Sequence, residues 1–142
     1  MITSLFPTIC AESVPETVAF YREMLGFEVV DVSNGYVLLH PPGQPSIRIG
    51  IVARDHDSIP SAHYDWPVGV LIGVEVDDVD EVYSKVVEAG ACVLRELRDE
   101  DYGQRHFITL DPEGTMVDVI TRIAVPEYEG AYDRAAITCD AG

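Results

Sequence analysis

The residue pair best suited to acid–base chemistry is a histidine and an aspartate in two neighbouring apolar stretches. His106 lies within QRHFITL and Asp118 lies within TMVDVITR, and both stretches alternate as strands do. On adjacent strands the carboxylate could orient the imidazole, which a histidine general base requires. The pair predicts an acid–base site as one hypothesis, and a hydrogen-bonding pair that contacts a ligand as another.

The other histidines could supply nitrogen ligands to a metal ion. His40 precedes two prolines, while His56 and His63 lie in a polar loop. Neutral imidazole is a common ligand of divalent ions. A metal site that recruits some of these three, or His106, is therefore an open alternative. The three cysteines form no CxxC pair, which argues against a thiolate zinc site and a disulfide framework.

The only tryptophan of the chain, Trp66, lies in the segment 53–67. This segment is polar, contains two prolines and shows no periodicity. It is long for a simple connection, and such loops are often functional. We expect Trp66 to stack on a ligand. Tyr128 and Tyr132 in the acidic tail are four residues apart and could cover the mouth of the same site.

The composition is that of a globular chain with a strong negative charge. With 142 residues, 47% of them hydrophobic, the chain can form one core or two half-size units that share one. No membrane-length apolar run or secretory signal is recognised, so we expect a cytoplasmic protein. A net charge of −16 repels phosphate, which argues against nucleic-acid and membrane partners and favours neutral or cationic ligands. Glu75 would add to that preference if it faced the site.

Residues 1–52 predict a unit of one strand, one helix and three further strands. The first strand is expected over TSLFPTICA. Ser13 and Glu16 form a capping box at the start of the helix, and Gly26 ends it. The remaining strands are expected over FEVVDVS, YVLLH and SIRIGIV, and an Asn-Gly pair forms the first hairpin turn.

Residues 68–122 repeat this plan about 65 residues later. The helix is expected to begin at DDVDE, and the strands are expected over VGVLIGVEV, CVLREL, QRHFITL and TMVDVITR. The acidic run 99–101 is expected to be a solvated turn. Residues 53–67 are then a linker loop, and residues 123–142 are a C-terminal tail. The pattern predicts an α+β protein built by internal duplication from two βαβββ modules.

Three motifs in register on this duplicated plan resemble the vicinal oxygen chelate superfamily. They are FYREMLGFEV in the first unit, and VDDVDEVYSKVVEAG and DPEGTMVDV in the second. This superfamily includes glyoxalase I, ring-cleaving dioxygenases and bleomycin-resistance proteins. The resemblance implies two curved sheets around a cup, with helices on the convex side and often a homodimer. It implies that one set of strand residues faces the helices, namely Ile9, Ile72, Val74 and Val76.

The metal-dependent members of that superfamily place a ligand near the start of each module and a carboxylate on each last strand. Carried over to this sequence, the first two positions hold Phe6 and Leu71, which have no lone pair to donate. The carboxylate positions hold Asp118 and either Arg48 or Gly50. We therefore expect no metal and no other cofactor. Asp118 is then a remnant, an acceptor for a ligand, or a partner of Arg48.

The resemblance thus favours the antibiotic-binding branch of the superfamily. The expected function is sequestration of a natural-product antibiotic with flat or aromatic parts, in a homodimer without turnover. Two alternatives stay open: a metal-independent isomerase or cyclase of natural-product metabolism that uses His106 and Asp118, and a metal-dependent lyase or dioxygenase with ligands at other positions. The predicted ligand-binding residues are Phe6, Thr8, Tyr36, Leu38, Arg48, Trp66, Leu71, His106, Ile108 and Asp118.

Overall fold

The computed structural model describes residues 1–60 and 65–125 of the chain. They form the α+β fold of two βαβββ units that the sequence predicts. The first unit consists of β1 (Thr8–Ala11), α1 (Val14–Leu25), β2 (Glu28–Ser33), β3 (Tyr36–His40) and β4 (Ile49–Ala53). The second unit consists of β5 (Leu71–Glu75), α2 (Val79–Glu88), β6 (Val93–Glu100), β7 (Gln104–Leu110) and β8 (Met116–Arg122).

Both helices begin where the local sequence predicts. Ser13 caps α1 by accepting a hydrogen bond from the backbone N–H of Glu16, and Asp78 caps α2 in the same way from Glu81. Gly26 ends α1 in the left-handed conformation, with φ of 74°. Each N-cap supplies an acceptor for an N–H group that has no partner inside the helix. The caps therefore fix the point at which the first strand of each unit passes into its helix.

Each unit forms one four-stranded sheet, with the orders β1-β4-β3-β2 and β5-β8-β7-β6. The first strand pairs in parallel with the last, so that Thr8 lies opposite Gly50 and Gly73 lies opposite Asp118. The two helix N-caps are 65 residues apart, which makes Thr8 equivalent to Gly73. It follows from the pairing that Gly50 is the first-unit equivalent of Asp118.

One face of each sheet packs against the helices, and we call the other the open face. The packed faces of both sheets contribute to a single hydrophobic core, which includes Ile9, Leu39, Ile51, Phe107 and Val117. As predicted, Ile72, Val74 and Val76 pack against this core. Because strand side chains alternate, the neighbouring residues of each strand lie on the open face. Leu71 there is 44% exposed.

Four strands differ in length from the expected ones. β4 and β5 each begin three residues later than expected, at Ile49 and Leu71, so Arg48 precedes β4. The first strand begins only at Thr8, because Pro7 has no N–H group to donate and contributes only its carbonyl, which accepts from Gly50 N at 2.9 Å. By contrast, β6 continues to Glu100 through two irregularities in its register with β7. Part of the acidic run 99–101 is therefore strand. None of the helices in the described residues is long and apolar enough to cross a membrane.

A buried polar contact joins the DPEG turn of the second unit to α1 of the first. The Tyr21 hydroxyl donates to Asp111 Oδ2 at 2.8 Å. Glu113 accepts from Ser13 N at 2.9 Å and from Arg54 Nη2 at 2.9 Å. Burial, aided by the nearby Asp111 carboxylate, raises the pKa of Tyr21 above its ordinary range, so the phenol remains a donor. Both carboxylates of this contact thus have hydrogen-bond donors, whereas Arg54 Nε has no hydrogen-bond partner in the described residues.

Candidate functional site

Five of the predicted ligand-binding residues lie together at the open face of the first sheet, and we call them the first-sheet cluster. The Arg48 guanidinium lies 4.8 Å from the centroid of the Phe6 ring and also donates to the Ser4 hydroxyl. Thr8 and Leu38 lie opposite Gly50 on its two neighbouring strands. The fifth member is Tyr36, on β3 beside Leu38.

Gly50 makes room at the centre of the first-sheet cluster. A Cβ atom on this residue would overlap the Tyr36 hydroxyl oxygen and would lie 2.8 Å from Thr8 Oγ1. Both hydroxyls therefore lie over the glycine, where a larger residue would displace them. The cluster combines an aromatic ring, a guanidinium group and two hydroxyls, which can stack on a flat ligand and donate hydrogen bonds to it.

Four further predicted residues lie on the open face of the second sheet, and we call them the second-sheet cluster: Leu71, His106, Ile108 and Asp118. Ile108 lies opposite Asp118, which in turn lies opposite Gly73. His106 is two residues from Ile108 on the same face of β7. The two open faces thus contain nine of the ten predicted residues.

Within the second-sheet cluster, His106 is held between two carboxylates. Its Nδ1 lies 2.7 Å from Asp118 Oδ1, and its Nε2 lies 2.9 Å from Glu100 Oε1. The residue is only 4% exposed. Burial lowers the pKa of His106, but the hydrogen bonds to Glu100 and Asp118 outweigh it, and the pKa is raised overall. The geometry therefore favours an imidazolium that donates from both nitrogens.

This arrangement bears on the acid–base hypothesis for His106 and Asp118. A general base needs a free nitrogen lone pair within reach of a substrate proton. With Asp118 on one nitrogen and Glu100 on the other, the imidazolium has no such lone pair. The partner of Asp118 is thus His106 rather than Arg48, which contacts Phe6 and Ser4.

Other acidic side chains around the second sheet are also paired with cations. Glu75 accepts from Arg122 at 2.8 and 3.0 Å, and this pair holds the pKa of Glu75 below its usual range. Arg105 contacts both Asp80 and Asp99 at 2.9 Å. Glu75 is therefore matched by a cation and does not add the uncompensated negative charge that would favour a cationic ligand.

Trp66 lies in the linker between the units, and the cleft that it lines contains no residue of either cluster. Its ring lies 4.6 Å from the guanidinium carbon of Arg54, and the residue is 53% exposed. It lines a cleft of about 360 Å³ whose other walls come from α1, the segment before β6 and the DPEG turn. The cleft walls include Phe20, Cys92, Leu110 and Pro112. The exposed apolar surface of this cleft is suited to stacking, and the ligand stacking expected of Trp66 stays a prediction.

The two other histidines in the described part of the chain, His40 and His56, contact loop backbone. His40 Nδ1 lies 2.8 Å from the Pro41 carbonyl, and His56 Nε2 lies 2.8 Å from the Asn34 carbonyl. Within residues 1–60 and 65–125, no three His, Cys, Asp or Glu side chains are arranged to hold a metal ion. His63, Tyr128 and Tyr132 lie outside the described residues.

The residues at the four metal-ligand positions implied by the resemblance do not fit a metal ion. The strand register assigns the first-unit carboxylate position to Gly50 rather than Arg48. The set is therefore Phe6, Gly50, Leu71 and Asp118, which contains one oxygen donor. Asp118 Oδ1 already accepts from His106. A divalent ion needs three or more nitrogen or oxygen ligands, so these positions do not supply a site.

Two residues of the site, Glu100 and Arg54, are not among the candidates that the sequence indicates. The sequence places Glu100 in a solvated turn, and it offers Gly50 only as an alternative to Arg48. An acidic residue two positions from an arginine on a strand, as in Arg98 and Glu100, places both on one face. That spacing was the available signal for Glu100. Arg54 carried no such signal, because its partner Glu113 is 59 residues away.

Comparison with known proteins agrees with this fold. The sequence model of the Glyoxalase/Bleomycin resistance protein/Dioxygenase superfamily matches residues 5–119. A bleomycin resistance protein of Geobacillus stearothermophilus is 23% identical over 128 residues, which cover 82% of this chain and 95% of that protein. A superfamily member from Sphaerobacter thermophilus has a solved structure with a TM-score of 0.69 and 23% identity, covering 86% of this chain and 98% of that one.

TnmS3, an antibiotic binding protein from Streptomyces sp. CB03234, has a TM-score of 0.67 and 18% identity, covering 86% of this chain and 97% of that one. At these identities the solved structures establish the fold. The superfamily match spans most of the chain and includes both βαβββ units. The chain therefore belongs to the glyoxalase/bleomycin resistance protein/dioxygenase superfamily.

Proposed function

We propose that this protein binds a natural-product antibiotic with flat or aromatic parts on its open faces and confers resistance by sequestration, without a metal ion. The observation that carries the proposal is the set of residues at the four metal-ligand positions. Phe6 and Leu71 have no donor atom, Gly50 has no side chain, and Asp118 is held by His106. The scaffold therefore presents a binding surface where its metal-dependent relatives carry a reaction centre.

The character of the exposed surface supports a small-molecule ligand. Phe6 is 38% exposed and Leu71 is 44% exposed, although both are apolar and both lie at the open faces. Apolar side chains surrounded by a few placed polar groups are typical of small-molecule sites. Arg48, Tyr36 and Thr8 are such groups on the first sheet. The relatedness to bleomycin resistance proteins and the likeness to an antibiotic binding protein support the ligand class.

The proposal includes a homodimer that acts in the cytoplasm. Large apolar side chains are exposed before β1 and before β5, including Ile2, Leu5, Val68 and Val70. Such a concentration of apolar surface is typical of a protein–protein interface. A second copy seated there would shield this surface and complete the site beside Phe6 and Leu71. Native mass spectrometry of the purified chain should therefore show a dimer, and a monomer at micromolar concentration would contradict this part of the proposal.

The test of sequestration is a binding experiment with a mass readout. The protein would be incubated with bleomycin and with a panel of aromatic antibiotics, and binding would be followed by isothermal titration calorimetry. We expect saturable binding with a Kd of about 1 μM or tighter, which corresponds to about −8 kcal/mol. Native and denaturing mass spectrometry should recover the ligand with an unchanged mass. A product of altered mass would contradict sequestration.

Two variants locate the site. Leu71→Asp places a charge on the open face of the second sheet and should weaken binding by at least about tenfold, because an apolar contact is replaced by a desolvated carboxylate. The matched control is Val87→Asp, since Val87 on α2 is also an exposed apolar residue, at 52%. This control should bind as the wild type does. Unchanged binding in Leu71→Asp would place the site elsewhere, and equal loss in both variants would contradict a local contact at Leu71.

A further inference from the structure

We propose that the first-sheet cluster binds an anionic oxygen of the ligand, held by the Arg48 guanidinium and the hydroxyls of Tyr36 and Thr8. The inference rests on the proposed function, because it assumes that the open faces bind an aromatic molecule. It deepens that function by naming the ligand class: flat aromatic compounds with a carboxylate, a sulfonate or an ionised phenol. The net charge of the chain favours neutral or cationic ligands, whereas the first-sheet cluster would favour an anionic one.

Arg48 is the first observation. The chain has 25 acidic residues and nine Lys and Arg residues, so most cations find a carboxylate. Five of the eight in the described residues do so within 4.0 Å, and Arg22, Arg48 and Arg95 do not. Of these three, Arg22 and Arg95 are exposed, whereas Arg48 is partly buried. Its guanidinium donates to the Ser4 hydroxyl and lies over the Phe6 ring, and its Nε has no hydrogen-bond partner in the described part of the chain.

The contacts of Arg48 leave its guanidinium able to bind an anion. A guanidinium has five N–H donors in a planar fork, which matches two oxygens of a carboxylate or sulfonate. Stacking on Phe6 restrains the plane of the Arg48 guanidinium, so less conformational freedom is lost when an anion binds. The Phe6 ring also offers an adjacent apolar surface for the aromatic body of the ligand.

The two hydroxyls over Gly50 are the second and independent observation. Gly50 is equivalent to Asp118, the position at which metal-dependent members of the superfamily carry a carboxylate. In the first unit this position has no acid, and its space is taken by Tyr36 Oη and Thr8 Oγ1. Hydroxyls donate hydrogen bonds to anionic oxygens. In place of a carboxylate that would attract a cation, this position is thus lined by two hydroxyls, which can donate to an anionic oxygen.

Within the described residues, no acid lies within 4.0 Å of the Arg48 guanidinium. Asp118 and Glu100 are paired with His106, and Glu75 is paired with Arg122. Asp31 lies opposite Leu38 and Asp65 lines a cavity with Thr8, but neither contacts Arg48. The net charge of −16 acts over long range and is screened within about 8 Å at physiological ionic strength, whereas Arg48 would touch the anion directly. The contact therefore decides the local preference.

The experiment compares two fluorescent probes that share an aromatic body. They are 8-anilino-1-naphthalenesulfonate, which is anionic, and N-phenyl-1-naphthylamine, which is neutral. The wild-type protein should bind the sulfonate about tenfold more tightly than the neutral probe, as expected for hydrogen bonds to a charged group. Arg48→Gln should remove this difference and leave the affinity for the neutral probe within about twofold.

The control variants separate charge, shape and folding. Arg22→Gln removes the same charge from an exposed position on α1 and should leave both affinities unchanged. Arg48→Lys retains the charge but not the planar fork, and it should recover part of the lost sulfonate affinity. Tyr36→Phe and Thr8→Val should each weaken sulfonate binding by a few-fold. Circular dichroism of each variant would establish that it is folded.

The outcomes distinguish the two proposals. If the wild type binds both probes equally, or if Arg48→Gln retains the preference for the sulfonate, the anion site is wrong while the proposed function stands. If neither probe shows saturable binding, the proposed function itself is contradicted. A preference for the sulfonate that is lost in Arg48→Gln and retained in Arg22→Gln supports the anion site.

Discussion

Replacement of Glu113 by alanine should destabilise the whole protein, because this side chain joins the two units. Glu113 lies in the DPEG turn of the second unit, and its side chain is 3% exposed. One carboxylate oxygen accepts from the N–H of Ser13, 100 residues away, at 2.9 Å. The other accepts from Arg54 Nη2 at 2.9 Å. The substitution therefore breaks one hydrogen bond at the N-terminus of α1 and one ion pair.

The expected loss of stability follows from the two groups that lose their partner, the Arg54 guanidinium and the Ser13 N–H. Removal of one member of a buried ion pair costs about 3–5 kcal/mol, because the other charge stays buried. Here the cost should fall at the lower end, since the Arg54 side chain is 15% exposed and lies 4.0 Å from Glu12. The Ser13 N–H loses its acceptor as well, for about 1 kcal/mol. From the loss of the ion pair and of the Ser13 hydrogen bond, we expect the free energy of unfolding to fall by about 3–4 kcal/mol.

Urea unfolding measures this loss. With an m-value of about 2 kcal/mol/M, the midpoint should shift by about 1.5–2 M. Glu113→Gln retains an acceptor for Ser13 but not the charge, so it should lose roughly half as much. Glu96→Ala, an exposed acidic residue on β6, is the matched control and should stay within about 0.5 kcal/mol of the wild type.

A double-mutant cycle provides the decisive comparison. If the cost arises from leaving Arg54 unpaired, then Arg54→Ala in the Glu113→Ala background should add much less than it does in the wild type. Additive effects of the two substitutions would refute the reasoning. So would a Glu113→Ala midpoint indistinguishable from that of the wild type.

Three further predictions address the site and the contact between the units. Because the pKa of His106 is raised, its two ion pairs stabilise the protein fully below the ordinary histidine pKa of about 6.5 and less as pH rises through the raised value. Urea titrations should show the wild type losing stability over that window relative to His106→Gln, and parallel profiles would contradict the prediction. Gly50→Ala should lower stability by about 1–3 kcal/mol, because its Cβ overlaps the Tyr36 hydroxyl, and Tyr36→Leu in the same chain should restore part of the loss in a thermal melt. Tyr21→Phe should cost about 1–3 kcal/mol in urea unfolding, because the buried Asp111 oxygen loses its donor, and an unchanged midpoint would contradict that account.

The features that the sequence predicts are those that local chemistry determines. Ser13 and Gly26 occupy the ends of α1 because a short polar side chain and a residue without Cβ suit those positions. Asn34 and Gly35 both have positive φ, as their hairpin turn requires. The alternation of each strand likewise determines which of its faces is buried. These features depend on neighbouring residues, so they can be found without knowing the fold.

The features that could not be predicted depend on contacts across the chain. Glu113 and Ser13 are 100 residues apart, and nothing near either residue indicates that they meet. Glu100 reaches His106 because β6 extends beyond its expected end through two irregularities in its register. The choice between Arg48 and Gly50 as the equivalent of Asp118 needed the pairing of β1 with β4. A shift by one residue would have reversed the face on which each side chain lies.

The duplicated scaffold allows its two halves to diverge in charge at equivalent positions. In the second unit the carboxylate of Asp118 is retained, but an imidazolium neutralises it. In the first unit the equivalent Gly50 leaves space for two hydroxyls beside an arginine without a carboxylate partner in the described residues. At these equivalent positions the first open face thus has two hydroxyls over Gly50, whereas the second has an imidazolium held between two carboxylates. A molecule bound against both faces would meet different chemistry at its two ends. Since Arg48 stacks on Phe6 in the same cluster as these hydroxyls, the anionic and aromatic end of the ligand should bind on the first sheet.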